Sequence, residues 1–191
     1  DGTLEFYEQK QFRVLAQRSK GRGEAFRLAF QEAQGDALIF FSPDGNEDPH
    51  DIPKFRPLLE AGYDMVIGTR MTPGAHNEED EEFLKLRKWA NQSFTWLANT
   101  FWNRHQPYIT DTINGFRAIR KTTWQTLVLD GSGYTIEYQS SIRCFKKELQ
   151  IIEFPTCEAQ RVGPEKGSPS IPTGMAFLKL LGRELKIGKR F

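Results

Sequence analysis

Cysteine and histidine are scarce in this 191-residue chain, with two of the first and three of the second. Cys144 and Cys157 cannot staple a fold, so a disulfide scaffold is excluded and the thiols fit a reducing compartment. His50, His76 and His105 are scattered without metal-ligand spacing, which argues against a structural zinc site. Net charge is nearly absent too: 26 Lys+Arg against 25 Asp+Glu leave +1. That excludes a globally basic nucleic-acid binder. No run approaches the roughly 18 apolar residues needed to span a bilayer. Asp1-Gly2-Thr3 carries neither the basic head nor the apolar run of a secretory leader. These absences predict a cytoplasmic chain without nucleic-acid partners. What is present, 38% hydrophobic and 27% charged residues, is the composition of an ordinary globular protein with one sizeable core.

The first half alternates strand-like and helix-like segments. Phe12 to Ala16 reads as a short strand. Gly21-Arg22-Gly23 opens a helix whose apolar positions Ala25, Phe26, Ala29, Phe30 and Ala33 recur at helical spacing, and Gly35 stops it. Ala37 to Phe41 is a continuous apolar run, as for a strand covered on both faces. Asp51 reads as the N-cap of a helix reaching about Ala61, with Pro53 in its first turn. Asp64 to Gly68 is another strand. The alternation predicts right-handed crossovers, a mostly parallel sheet and helices on both faces.

The second half is mixed. A polar loop over 72–82 ends in an acidic run over 78–82, read as a solvated loop or helix start. A long helix follows from about Phe83 to Trp102. Its Trp89, Phe94, Trp96, Phe101 and Trp102 read as core packing, with a membrane or dimer surface as the alternative. Strands are expected over Thr112–Ile119 and Gln150–Pro155, and helices over Thr122–Leu129 and Ile136–Lys147. A Gly/Pro/Ser-rich loop covers Pro164–Pro172. Residues 173–191 form a basic amphipathic helix, either docked with a solvated face or lying on an anionic leaflet.

The segment richest in chemistry is Phe40-Phe41-Ser42-Pro43-Asp44-Gly45-Asn46. Ligands of open α/β sheets bind beyond the carboxyl ends of the strands. A carboxylate there, with Ser and Asn oxygens, is a hard-oxygen set suited to Mg2+ or Mn2+ bridging a diphosphate. Taken alone, Pro-Asp-Gly reads first as a simple β-turn.

That segment belongs to an ordered series. Lys20-Gly21-Arg22-Gly23, Ala33-Gln34-Gly35-Asp36, the apolar strand, Pro43-Asp44-Gly45, Asp48-Pro49 and Ile67-Gly68-Thr69-Arg70 follow in turn. Asp111 to Arg117, Gly133 to Glu137 and Ile152 to Pro155 continue it, leading to Arg161 and Glu165. The series resembles the family 2 glycosyltransferases, and within them the dolichol- or polyprenyl-phosphate sugar synthase-like branch. The resemblance implies a nucleotide-diphospho-sugar transferase-like, doubly wound fold over residues 1–172. It also implies an inverting transfer from a nucleotide-sugar donor, with a polyprenyl phosphate among the acceptors, and so membrane association on the cytoplasmic face.

By that resemblance Asp44, Asn46 and Ser42 are the metal candidates. Arg70, Arg161, Lys166 and Arg22 are the donor-phosphate candidates, Glu137 is the general base and Asp111 lines the sugar pocket. Plainer readings stand beside these: a solvated arginine for Arg70, a flexible basic loop for Arg161 and Lys166, a helix-dipole partner for Glu137 and a turn residue for Asp111. The chain departs from the pattern twice. The usual Asp-x-Asp is Ser42-Pro43-Asp44, which exchanges one carboxylate for a hydroxyl. The strands expected before Asp1-Gly2-Thr3 are missing, so the sheet is expected to lack an inner strand beside Leu38 to Phe41. These departures motivate one alternative, a non-catalytic sugar-nucleotide or partner-binding relative; a nucleotidyltransferase would need a Gly/Arg/Lys-rich phosphate loop at its start, which this sequence does not show.

Overall fold

The structure, a computed structural model, describes residues 2–42, 44–81, 83, 85–160 and 170–191. Its sheet is built from β1 (Ala37–Phe40), β2 (Met65–Thr69), β3 (Arg117–Arg120) and β4 (Ile151–Pro155), in the order β1-β3-β2-β4. β3 runs antiparallel to both β1 and β2, setting Ala37 opposite Arg120 and Met65 opposite Ile119. β4 is parallel to β2, with Met65 opposite Ile151. β1, β2 and β4 therefore share a direction and β3 is reversed between them. The α/β expectation holds, as a mixed sheet.

β2 lies between two strands and is buried at every position. Its side chains alternate between two cores, as the period of a strand requires. Val66 joins Phe116, Ala118 and Phe154 against Phe55 and Leu59 of α3 (Phe55–Glu60). Met65 and Ile67 face the larger core on the other side. That core gathers Phe26 and Phe30 of α2 (Arg22–Glu32), Ala98 of α4 (Leu86–Trp102), Leu127 of α5 (Lys121–Leu127) and Ile136, Ile142 and Phe145 of α6 (Thr135–Lys146). Phe177, Leu180 and Leu181 of α7 (Ser170–Ile187) complete it. β1 is an edge strand, and Ile39 and the following Phe41 are each 39% exposed.

Several expectations are corrected. Phe12 to Ala16 is not a strand: Phe12, Val14 and Leu15 are exposed, and the segment follows an unanticipated helix, α1 (Thr3–Gln9). Residues 112–116 are a loop because side chains take the backbone donors. Asn114 N–H donates to Asp111 and Phe116 N–H to Asn114, and such local bonds compete with a sheet ladder. Asp48, not Asp51, caps the 3-10 helix Pro49–Lys54, accepting from His50 N–H at 2.9 Å. Asp51 is buried and accepts from Thr156 Oγ1 at 2.6 Å. On α4, Phe94 and Trp102 pack on the core, but Trp89 and Trp96 are half-exposed.

α7 is docked. Glu184 is fully buried between Arg143 and Lys146 of α6. Arg143 Nη2 donates to Glu184 Oε1 at 2.9 Å and Lys146 Nζ to Oε2 at 2.6 Å. Ile171, Met175, Leu178 and Leu185 remain exposed on its outer side. The start of α2 is pressed onto the 131–132 loop: Gly23 N–H donates to Ser132 O at 3.3 Å, and a Cβ on Gly23 would overlap the Gly131 carbonyl.

Candidate active site

The loop after β1 leaves the sheet at a strand's carboxyl end, where α/β folds bind ligands. Gly45 turns it back with φ +82°, a conformation natural to glycine. The return brings Glu47 over the loop's own start, where Glu47 Oε2 accepts from Ser42 N–H at 2.6 Å. Asn46 is 3% exposed; its Nδ2 donates to Glu158 Oε1 at 3.2 Å while its buried Oδ1 has no donor. The loop is pinned to the 157–159 segment through a Glu47–Glu158 bridge and an Ala159 N–H to Asn46 O bond of 2.8 Å. Burial pushes the Glu47 carboxyl up to about 7; Glu158 and Asp44 add to this, against the Ser42 N–H and Arg22.

Arg70, at the carboxyl end of β2, is brought together with Asp111. Its Nε and Nη2 donate to the two Asp111 oxygens at 2.8 and 3.1 Å, and its Nη1 donates to Glu158 Oε2 at 3.1 Å. Burial alone would lower its pKa, but Asp111 and Glu158 hold it above the ordinary arginine value. Asn77 adds a bond to Glu158 Oε2 at 3.4 Å. The planar fork expected at the donor phosphates is thus filled by two protein carboxylates. Asp111 is 1% exposed, and its own N–H donates to Glu153 Oε1 at 2.8 Å.

Glu137 sits in the first turn of α6, 2% exposed, and is ion-paired to Arg22. Gly115 makes room for that pair, since a Cβ there would strike the Arg22 guanidinium. Burial raises the Glu137 pKa, opposed by Arg22 and Arg117. Arg117 is fully buried and donates to the carbonyls of Asn114, Thr112 and Glu137 at 2.6, 3.1 and 2.9 Å. It ties the 112–114 loop to the start of α6.

A cavity of about 320 Å³ opens beside Arg70, between the first turns of α4 and α7. Leu86, Phe94 and Phe177 give it apolar walls, and Arg87 and Lys88 bring cations that pair with Glu78, Glu79 and Asp80. Arg161 and Lys166 lie outside the described residues. No three His, Cys, Asp or Glu converge on a metal site among the described residues. The orphaned, buried Asn46 Oδ1 in a loop with Asp44 nevertheless fits a partial oxygen set, of the kind that leaves remaining positions to phosphate oxygens and water. Sequence reasoning missed Glu47, Glu158 and Arg117. The signal for Glu47 was its place in the same tight loop; for the other two, contacts distant in sequence decide.

Residues 1–121 match Glycosyl transferase family 2, and the chain belongs to that family. The glycosyltransferase AglJ of Haloferax volcanii is 27% identical over 191 residues, covering 96% of this chain and 59% of that protein. A dolichyl-phosphate hexose transferase of the same organism is 28% identical over 170 residues, covering 88% and 70%. The glucosyl-3-phosphoglycerate synthase of Mycobacterium tuberculosis, solved with Mn2+ and UDP-glucose, superposes with a TM-score of 0.65 at 15% identity, covering 98% of this chain and 64% of that one. The chain thus spans less than two thirds of AglJ and of that synthase, and the fold is that of nucleotide-sugar transferases.

Proposed function

We propose that this chain carries the donor site of an inverting glycosyltransferase that moves a sugar from a nucleotide diphosphate to a polyprenyl phosphate. The observation that carries the reading is the Ser42–Glu47 loop, where a carboxylate and an orphaned amide oxygen stand at a strand's carboxyl end. Arg70 links this loop to the cavity, since it pairs with Glu158, which holds Asn46, and also lines the cavity wall. A hexose transferase that uses a dolichyl phosphate supports the acceptor class, and a Mn2+-bound neighbour supports the cation.

Asp44 and Asn46, with the Ser42 hydroxyl, would hold Mg2+ or Mn2+. When bound, such a cation supplies charge neutralisation for the leaving diphosphate. Arg22, fixed by Glu137 at the start of α2, adds a cation at the helix end that favours anions. The cavity's apolar walls suit the first part of a lipid chain, and its phosphate would compete with Glu78, Glu79 and Asp80 for Arg87 and Lys88. A phosphate acceptor is already anionic, so Glu137 then serves to hold Arg22 in place. A hydroxyl acceptor would need a base, and the raised pKa of Glu137 suits that task.

No helix among the described residues is long and apolar enough to cross a membrane. A lipid acceptor would instead be met at the bilayer surface. Trp89 and Trp96 of α4, with Met175 and Leu178 of α7, offer exposed apolar side chains for that contact.

The experiment supplies labelled UDP- and GDP-sugars with polyprenyl phosphate in micelles and follows label into the organic phase. Transfer that EDTA abolishes is expected. If no donor yields product with lipid or soluble acceptors, while nucleotide sugars still bind, the chain is a non-catalytic relative and the transferase reading fails.

A further inference from the structure

We propose that Glu47 supplies the second carboxylate of the divalent-cation site, the charge that Ser42 does not bring. This rests on the donor-site reading above and adds a residue to it. Asp44 alone gives one charged ligand, whereas a divalent cation shared with a diphosphate is usually held by one or two carboxylates. Glu47 is two residues beyond Gly45, whose φ of +82° folds the loop back on itself. Its carboxylate is thereby anchored on the Ser42 N–H at 2.6 Å, at the position where the hydroxyl stands in for a carboxylate. The Glu47–Glu158 bridge fixes the backbone beneath it.

The neighbouring acids already have cationic partners: Glu158 and Asp111 share Arg70, and Glu137 pairs with Arg22. No basic side chain among the described residues forms an ion pair with Glu47, and its partner is a backbone N–H. Asn46 is an independent pointer to a ligand. It is 3% exposed, its Nδ2 is spent on Glu158, and its Oδ1 is left without a donor in the same loop. Two carboxylates, Asp44 and Glu47, and the Asn46 amide oxygen thus come from four consecutive positions of one tight loop.

The test is Mn2+ binding, read as loss of the free-ion EPR signal, for the chain alone and with UDP or GDP. Glu47→Gln keeps the shape and the bond to Ser42 N–H but removes the charge. It should weaken Mn2+ binding tenfold or more, with no loss of melting temperature in EDTA. Adding Ser42→Asp to Glu47→Gln returns a carboxylate to the loop start and should recover most of that loss. If Glu47→Gln binds Mn2+ within twofold of wild type while Asp44→Asn does not, the assignment of Glu47 is overturned and the donor-site reading stands. If the wild-type chain takes up no Mn2+ under any of these conditions, both fall.

Discussion

Glu184→Gln is the sharpest probe of how α7 is held. Glu184 is fully buried, and its partners Arg143 and Lys146 are 3% and 2% exposed. It accepts from Arg143 Nε and Nη2 at 3.1 and 2.9 Å and from Lys146 Nζ at 2.6 Å. Glutamine keeps the volume but takes the carboxylate from buried Lys146 and leaves buried Arg143 only the Asp130 carboxylate at 3.8 Å. Removing one partner of a buried pair costs about 3–5 kcal/mol. Undocking the helix would relieve the cations, but it would expose Phe177, Leu180 and Leu181, at roughly 1.5–3 kcal/mol for each side chain. The helix should therefore stay docked and the loss should appear in global stability. For a chain of this size, about 2–4 °C per kcal/mol gives a melting shift of roughly 6–20 °C. Burial alone would raise the Glu184 pKa, but the bonds from Arg143 and Lys146 hold it below the ordinary carboxylate value. A lowered folded-state pKa gives stability that is present above the unfolded value and lost as pH falls through the folded one. Wild type should thus lose stability on acidification below about pH 4.5, and that part of the loss should be missing in Glu184→Gln. Urea unfolding followed by tryptophan fluorescence across pH 3–7 measures both effects. A loss under about 1 kcal/mol with an unchanged acid limb would refute the buried triad. Replacing all three residues by apolar ones of similar volume should be nearly neutral, because the desolvation cost disappears with the charges.

Three further outcomes follow from the site. Gly23→Ala should cost about 1–3 kcal/mol, since its Cβ would meet the Gly131 carbonyl; Gly133→Ala, at an open position, serves as the control in the same thermal melts. Arg70→Ala should destabilise by about 3–5 kcal/mol, because it strands Asp111 and Glu158. Arg70→Lys should lose less, keeping the charge without the planar fork, and equal unfolding midpoints for the two variants would contradict the network. In EDTA, the raised Glu47 pKa of about 7 means that the folded state binds the extra proton. Stability should then fall as pH rises from about 4.5 to 7, by a few kcal/mol at most. Glu47→Gln should flatten that slope, and an identical slope in both proteins would contradict the burial of Glu47.

The layered architecture was legible because β2 opens on the apolar run Met65 to Ile67 and α2 repeats its apolar residues at helical spacing. The reversal of β3 was not, because strand direction depends on pairing partners distant in sequence. Residues 112–116 read as strand from composition, yet Asp111, Asn114 and Glu153 bond the backbone there into a loop. The order of motifs located Asp44, Arg70, Asp111 and Glu137, but pairing was invisible. Arg70 reads as a free phosphate ligand until Glu158, 88 residues away, is seen on its guanidinium. Trp89 and Trp96 read as core because they are large and apolar, and only the packing of α4 against α6 and α7 shows that they face outward.

Calorimetric titration of nucleotide sugars, with Mn2+ and with EDTA, against wild type and Asp44→Asn, bears most directly on the central claim that the loop after β1 is a metal-assisted donor site. Wild type should bind at least one UDP- or GDP-sugar, more tightly with Mn2+ than with EDTA. Asp44→Asn should lose most of the Mn2+-dependent gain, because the charge is gone while the shape remains. An equal Mn2+-dependent gain in both proteins would contradict the claim.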